Sequence, residues 1–365
     1  LEFWGSYQKT IATESKLDSK RFMSRHYMAL TRNVLRYGWL VTYLFGASAT
    51  VCKSFMQDYH EHNLEEFDDN TLYLPYATSL RMGDIGYQNS QEDKKGVKAN
   101  YNSLRHYIYS LRAAMQTNCD SCEAIGVKKD GEYLQLNTNI LQIANEYYSS
   151  VRPKPIMNGI DRPLGALLKG GVGYVELRSL DVNPLIKDGI NAEQVQFLES
   201  FMLFCLLEDS PVISTEQIYE IDINANLVAH RGREPNLKLK YNGEEVSLKN
   251  WGQSILNKIA DCSALLSDAH VDSVNQISNR IKNPDLTPSA QMLNEMKHEE
   301  KGFFEYTDQF SHKYQKLYQN MKINDGYFSE LDKLRTLSFE KQREIESDDK
   351  VSFDQFLEEY FSSDI

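Results

Sequence analysis

Gly170-Gly171-Val172-Gly173-Tyr174-Val175-Glu176-Leu177-Arg178-Ser179-Leu180-Asp181 carries an alternation that an extended chain puts to use. Successive side chains of a strand leave on opposite faces. Over 173–179, Tyr174, Glu176 and Arg178 therefore share one face, and Val175 and Leu177 share the other. Such a strand seats polar groups above an apolar core. Two readings stay open at this point. One is a half-exposed strand with an internal ion pair; the other is a carboxylate that ligates Mg²⁺ beside an arginine that neutralises phosphate. Gly171-Val172-Gly173 leads into a strand and lacks the third glycine of a dinucleotide fingerprint, and neither GxxxxGK[ST] nor HExxH occurs.

Two further stretches carry the same mixture of shaped backbone and charge. Leu74-Pro75-Tyr76-Ala77-Thr78-Ser79-Leu80-Arg81-Met82-Gly83-Asp84-Ile85-Gly86-Tyr87 is a loop shaped by Pro75, Gly83 and Gly86, and it presents Arg81, Asp84 and Tyr87. Asn145-Glu146-Tyr147-Tyr148-Ser149-Ser150-Val151-Arg152-Pro153-Lys154-Pro155 has two prolines and two cations, which suits an extended segment facing an anion. Each of these alone is compatible with an ordinary loop.

Around them the chain is mixed. A 3.6-residue spacing predicts a helix over 101–115, with Leu104, Ile108, Leu111 and Met115 on one face. Alternation predicts a strand over 132–137. Residues 192–207 form the most apolar helix candidate, with Val195, Leu198, Phe201, Met202, Cys205 and Leu206 on a broad buried face. Asn283-Pro284-Asp285-Leu286-Thr287-Pro288 is a break, with Thr287 placed to cap and Pro288 at the first helical position. Beyond it the chain reads as helical. Phe303, Tyr306, Phe310, Tyr314, Leu317 and Met321 form an aromatic stripe read as core packing, and Ser352 with Gln355 makes a capping-box pattern.

The 365 residues carry a formal charge of -12, with 41% hydrophobic and 25% charged residues. That is a globular composition, and its negative field disfavours nucleic acid and anionic membranes. A nucleotide held by local cations remains compatible with it. The apolar run over 39–51 is about 13 residues, short of the roughly 20 a membrane span needs. The opening residues lack the order of a signal peptide. Five cysteines, with one CxxC at Cys119 and Cys122, do not resemble a disulfide framework and fit reduced thiols in the cytoplasm. His60-Glu61-His62 reads as a solvated loop rather than a metal site.

Taken in order, the strings resemble bacterial-type glutamate–cysteine ligases. They are Tyr43-Leu44-Phe45-Gly46-Ala47-Ser48, Ala77-Thr78-Ser79-Leu80-Arg81-Met82 with Gly86-Tyr87, Asn145-Glu146 with Tyr148, Arg152-Pro153-Lys154, and Tyr174 through Asp181 with Asn183-Pro184. The resemblance implies ATP-dependent joining of the side-chain carboxylate of L-glutamate to the amine of L-cysteine through a γ-glutamyl phosphate, with Mg²⁺ as the metal. It implies that Glu176 ligates Mg²⁺, that Arg178 steadies the phosphoryl group, and that Arg81, Tyr87 and Tyr148 line the cysteine site. The implied fold class is α+β: an antiparallel-rich sheet flanked by helices, like glutamine synthetase and the guanidino kinases. Residues 1–282 would form the catalytic part and 283–365 a helical C-terminal region packed on it. The family's N-terminal portion, with further metal-binding carboxylates, is expected upstream of Leu1 as a partner from the same polypeptide. Two alternatives accompany this reading: a ligase that uses another amine, and a non-catalytic fragment.

Overall fold

The computed structural model describes residues 19–56, 63–86, 98–157, 162–322 and 324–362. The chain divides into two compact units, Leu1–Asp308 and Gln309–Ile365.

The first unit is built on helices. Helix α1 (Ser19–Tyr37) buries Phe22, Met28, Leu30, Val34 and Tyr37, and α2 (Trp39–Phe45) is buried at every position. They meet at Gly38, where a Cβ would lie 2.4 Å from the Val34 carbonyl oxygen, so only glycine allows so close a turn. The run from Trp39 is thus an interior helix, as its short length required. The first unit continues with α3 (Leu104–Gln116), α4 (Asp120–Ile125), α5 (Pro163–Gly170), α6 (Ala192–Leu207) and α7 (Thr215–Arg231). Then follow α8 (Leu248–Ser263), α9 (Asp268–Lys282) and α10 (Pro288–Glu299), with α11 (Phe303–Gln319) crossing the boundary.

The core gathers Leu40, Val41, Leu44 and Phe45 of α2, Phe197, Phe201 and Phe204 of α6, and Ile255, Ile259, Val274 and Ile277 of α8 and α9. Helix α6 has the predicted bounds and most of the predicted inner face, with Leu198, Met202 and Leu206 packed partly buried against the core. Phe197, Phe201, Phe204 and Cys205 are buried, whereas Val195 is 43% exposed. Apolar residues fall on several sides of the helix, so periodicity sets the inside only coarsely; the bulky rings of Phe197 and Phe204 join it and Val195 does not.

The antiparallel-rich sheet expected from the resemblance is, among the described residues, four small antiparallel pieces in a helix-rich chain. Strands β1 (Thr50–Cys52), β2 (Glu65–Glu66) and β3 (Thr71–Tyr73) form one sheet in the order β1-β3-β2. The others are two-stranded ribbons: β4 (Lys128–Lys129) with β5 (Glu132–Tyr133), β6 (Val151–Lys154) with β7 (Tyr174–Leu177), and β8 (Lys238–Tyr241) with β9 (Glu244–Ser247). The strand predicted over 132–137 stops at Tyr133. Beyond it the side chain of Gln135 donates to the carbonyls of Cys122 and Gly126, and the Leu136 N–H donates to the Gln142 side chain, so polar side chains take over the ladder's role.

Thr287 occupies the cap position before Pro288, but its hydroxyl donates to the Pro284 carbonyl at 2.7 Å instead of accepting from the helix. Cys119 and Cys122 are joined as a disulfide, contrary to the expectation of free thiols; the first turn of α4 brings the two side chains together. Cys52, Cys205 and Cys262 are free.

The second unit holds the end of α11, then α12 (Asp325–Asp348) and α13 (Phe353–Ser362). The aromatic stripe is core only at its start. Tyr306, in the first unit, is fully buried, while Leu317 and Met321 are exposed. In α13 the Ser352 hydroxyl accepts from the Gln355 N–H at 3.2 Å, as the capping pattern predicted.

Candidate active site around Arg81 and the β6–β7 ribbon

The β6–β7 register pairs Arg152 with Glu176 and Lys154 with Tyr174, so these four side chains share one face. Val151, Val175 and Leu177 lie on the other face, against the core. The alternation read from the sequence holds. The predicted ion pair does not: Glu176 faces Lys154 across the ribbon at 3.7 Å, and the Arg178 guanidinium instead lies over the Tyr148 ring, 5.4 Å from its centroid. Cross-strand register, which a single strand's sequence does not encode, chose the partner. Glu176 is 40% exposed, so that pair adds little stability.

The Arg81 loop reaches this face through Asp181. Ser79 caps the short helical turn Leu80–Met82, its side chain accepting from the Met82 N–H. Arg81 Nε donates to Asp181 Oδ1 at 2.6 Å, and Nη2 donates to the carbonyls of Leu180 at 2.8 Å and Arg178 at 3.4 Å. Arg81 Nη1 approaches the Tyr148 hydroxyl at 3.5 Å. Asp181 Oδ2 accepts from the Ala47 N–H and from Ser48 Oγ, each at 2.8 Å. Burial alone would lower the Arg81 pKa, but the Asp181 hydrogen bond and charge, helped by Tyr148, leave it raised. The guanidinium is a fixed cation whose Nε and Nη2 are engaged, with Nη1, 3.5 Å from the Tyr148 hydroxyl, the least committed.

Two close approaches clamp the loops. A Cβ on Gly46 would lie 2.5 Å from the Thr78 carbonyl oxygen. Thr78 and Ser79 donate their N–H groups to the Ala229 carbonyl, and the Thr78 hydroxyl donates to that of Val228, so the end of α7 holds the loop. His230 sits 2.8 Å from Asp84. Arg152 is buried, and its Nη2 donates to the Asn145 carbonyl at 3.0 Å. Burial lowers its pKa, the neighbouring Tyr107 opposes that, and the charge of Arg178 lowers it further.

The structure thus brings Arg81, Tyr148 and Arg178 together, with Glu176 next along the same strand face. Tyr87 lies outside the described residues, as do His60, Glu61 and His62. Asp181 and Ser48 were quoted in the sequence strings without a role; their signal was only their place beside Arg178 and Gly46. An Mg²⁺ ion takes about six oxygen ligands. Among the described residues no group of three or more His, Cys, Asp or Glu side chains is placed to hold a metal ion. Glu176 alone does not fit a magnesium site. Among the described residues, no helix is long and apolar enough to cross a membrane.

This arrangement has counterparts. The family model described as glutamate-cysteine ligase matches residues 1–228, which include Arg81, Tyr148, Glu176, Arg178 and Asp181. The chain belongs to the glutamate–cysteine ligase family. The glutamate–cysteine ligase of Pseudomonas paraeruginosa is 41% identical over 357 residues, 96% of this chain and 67% of that protein. That of Pseudomonas aeruginosa is 40% identical over the same span. The chain therefore covers about two thirds of the length of these relatives. A crystal structure of the Francisella tularensis ligase in complex with AMP superimposes with a TM-score of 0.89 at 28% identity, covering 98% of this chain and 70% of that one. A bifunctional glutathione synthetase from Pasteurella multocida shares the fold alone, with a TM-score of 0.58 at 18% identity.

Proposed function

We propose that the protein carries out its family's reaction, the ATP-dependent joining of the glutamate γ-carboxylate to the amine of L-cysteine, the first step of glutathione synthesis, in the cytoplasm. The observation that carries this reading is the convergence of Arg81, Tyr148 and Arg178 on one strand face, with Asp181 tying the Arg81 loop to it. A γ-carboxylate oxygen attacks the terminal phosphorus of ATP, the bond to the bridging oxygen breaks, and ADP leaves. The cysteine amine then attacks the acyl carbon, phosphate departs with the carboxylate oxygen, and the amine loses its proton. Negative charge passes between phosphoryl and carboxylate oxygens throughout, so fixed guanidinium groups stabilise it best.

Arg178 is assigned to the transferring phosphoryl group. Its stacking on Tyr148 leaves the edge of the fork available while fixing its plane. Arg81 and the Tyr148 hydroxyl are assigned to the cysteine carboxylate, together with Tyr87. Glu176 is given no more than one ligand position on a magnesium ion. The kinship of fold with glutamine synthetase and the guanidino kinases is proposed on the sequence resemblance.

The test is an amine panel with Mg-ATP and glutamate, following ADP release and product mass. Cysteine should be the preferred acceptor and γ-glutamylcysteine the product. ADP release that requires a different amine would replace this reading with a related carboxylate–amine ligase.

A further inference from the structure

A cavity of about 750 Å³ in the first unit shares no lining residue with the site above. It lies between the N-terminal half of α1, the start of α3 and the end of α5, and its charged lining is Lys20, Arg21, Arg25, Arg32, Arg105 and Lys169. Among the described residues, no acidic side chain lines it. Arg21, Arg25 and Arg32 recur at helical spacing on one face of α1, so the clustering is built into the helix. In a chain with a formal charge of -12, six cations around one hollow are a strong local inversion of the field.

Among the described residues, Arg21, Arg25, Arg32, Arg105 and Lys169 are not neutralised from within. Arg32, only 8% exposed, spends its donors on uncharged oxygens: the carbonyls of Tyr101, Asn102 and Ser210, and the Ser210 hydroxyl. Among the described residues no carboxylate pairs with Arg21, Arg25, Arg105 or Lys169. Burial lowers the pKa of Arg32, and the charges of Arg36 and Arg25 lower it further. Held together, like charges repel one another, and a multivalent anion removes that cost. The Arg105 guanidinium lies over the Tyr109 ring at 5.3 Å, so one cation is already held at the rim. The first turn of the thirteen-residue α3, capped by Ser103, also faces the hollow and adds the positive end of its dipole. Met28, Ile108 and Leu167 form a buried apolar floor.

The geometry points to a second anion site in this cavity, which binds a multiply charged phosphate group through Arg21, Arg25, Arg105 and Lys169, independently of the ligase site. The volume suits a small phosphorylated molecule and is too small for a folded partner. The source of the phosphate, an inorganic polyphosphate or the phosphate tail of a nucleotide, is separated by the test.

The experiment is calorimetric titration of inorganic tripolyphosphate into the Arg178→Gln protein, in which the ligase site is weakened, and into the same protein carrying Arg25→Glu and Arg105→Glu. Both added changes are at exposed positions, and a thermal melt checks folding. Saturable binding in the first protein, at least roughly tenfold weaker in the second and falling with added salt, is expected. Parallel titrations with ATP and AMP separate the sources: ATP as tight as tripolyphosphate assigns a nucleotide tail, ATP clearly weaker assigns the inorganic chain, and AMP should bind more weakly than tripolyphosphate. No tripolyphosphate binding, affinity unchanged by the two reversals, or AMP binding tighter than tripolyphosphate would each overturn the assignment. None of these outcomes depends on ligase activity, so failure here leaves the ligase reading standing.

Discussion

Both oxygens of Asp181 are engaged, one by the Arg81 guanidinium and the other by the Ala47 N–H and Ser48 Oγ. Removing its charge leaves the partly buried Arg81 with neutral oxygen partners alone. Asp181→Asn should cost about 2 kcal/mol in stability, measured by urea unfolding, and should raise KM for cysteine more than KM for ATP. Arg178→Lys keeps the charge and loses the planar fork that stacks on Tyr148, so kcat should fall further than ATP binding weakens. Turnover matching the unaltered enzyme in steady-state kinetics would remove Arg178 from its assigned role. Arg178 was legible in the sequence because alternation put it on the polar face. Asp181 was not: it lies past the end of the strand, where no period governs side-chain direction, and its partners are far away in sequence. The same holds for Lys154, which became the neighbour of Glu176 only through register.

Elements were more readable than their faces. The capping box on α6, Asn191 with Gln194, is reciprocal: each side chain accepts the other residue's N–H. Asn191→Ala should therefore lower stability by about 1 kcal/mol in chemical denaturation, and Asn191→Asp should restore most of it. The bounds and most of the inner face of that helix followed from its apolar run; Val195 fell outside the face, because apolar residues spread around the helix leave little moment to orient it. The predicted strand over 132–137 failed for a different reason. Its alternation was real, but Gln135 and Gln142 offer the backbone nearby side-chain partners that compete with a ladder. The β6–β7 ribbon was legible as a polar face over an apolar one, since both strands alternate cleanly and the core takes Val151, Val175 and Leu177.

The molecule as a whole carries its buried phenols as a pH limit. Burial pushes the hydroxyls of Tyr37, Tyr43 and Tyr107 up to about 12. Below pH 10 these groups are protonated in both folded and unfolded chains, and their contribution is fully present. Between about 10 and 12 the unfolded chain ionises first, so stability falls, by roughly 2 kcal/mol per phenol. Absorbance at 295 nm should show a cooperative step that coincides with loss of near-ultraviolet circular dichroism; smooth ionisation near pH 10 without unfolding would contradict the burial account. The composition already argues against a basic nucleic-acid binder, but charge totals hide the local inversion at the Arg25 cavity, which exists only once α1, α3 and α5 meet.

The reaction assigned to the Arg81–Arg178 face makes one atom traceable through both steps. With ATP, cysteine and glutamate carrying oxygen-18 in its γ-carboxylate, mass spectrometry of the released inorganic phosphate should find one labelled oxygen per γ-glutamylcysteine formed. Unlabelled phosphate alongside that product, or label transferred while an amine other than cysteine is consumed, would contradict it.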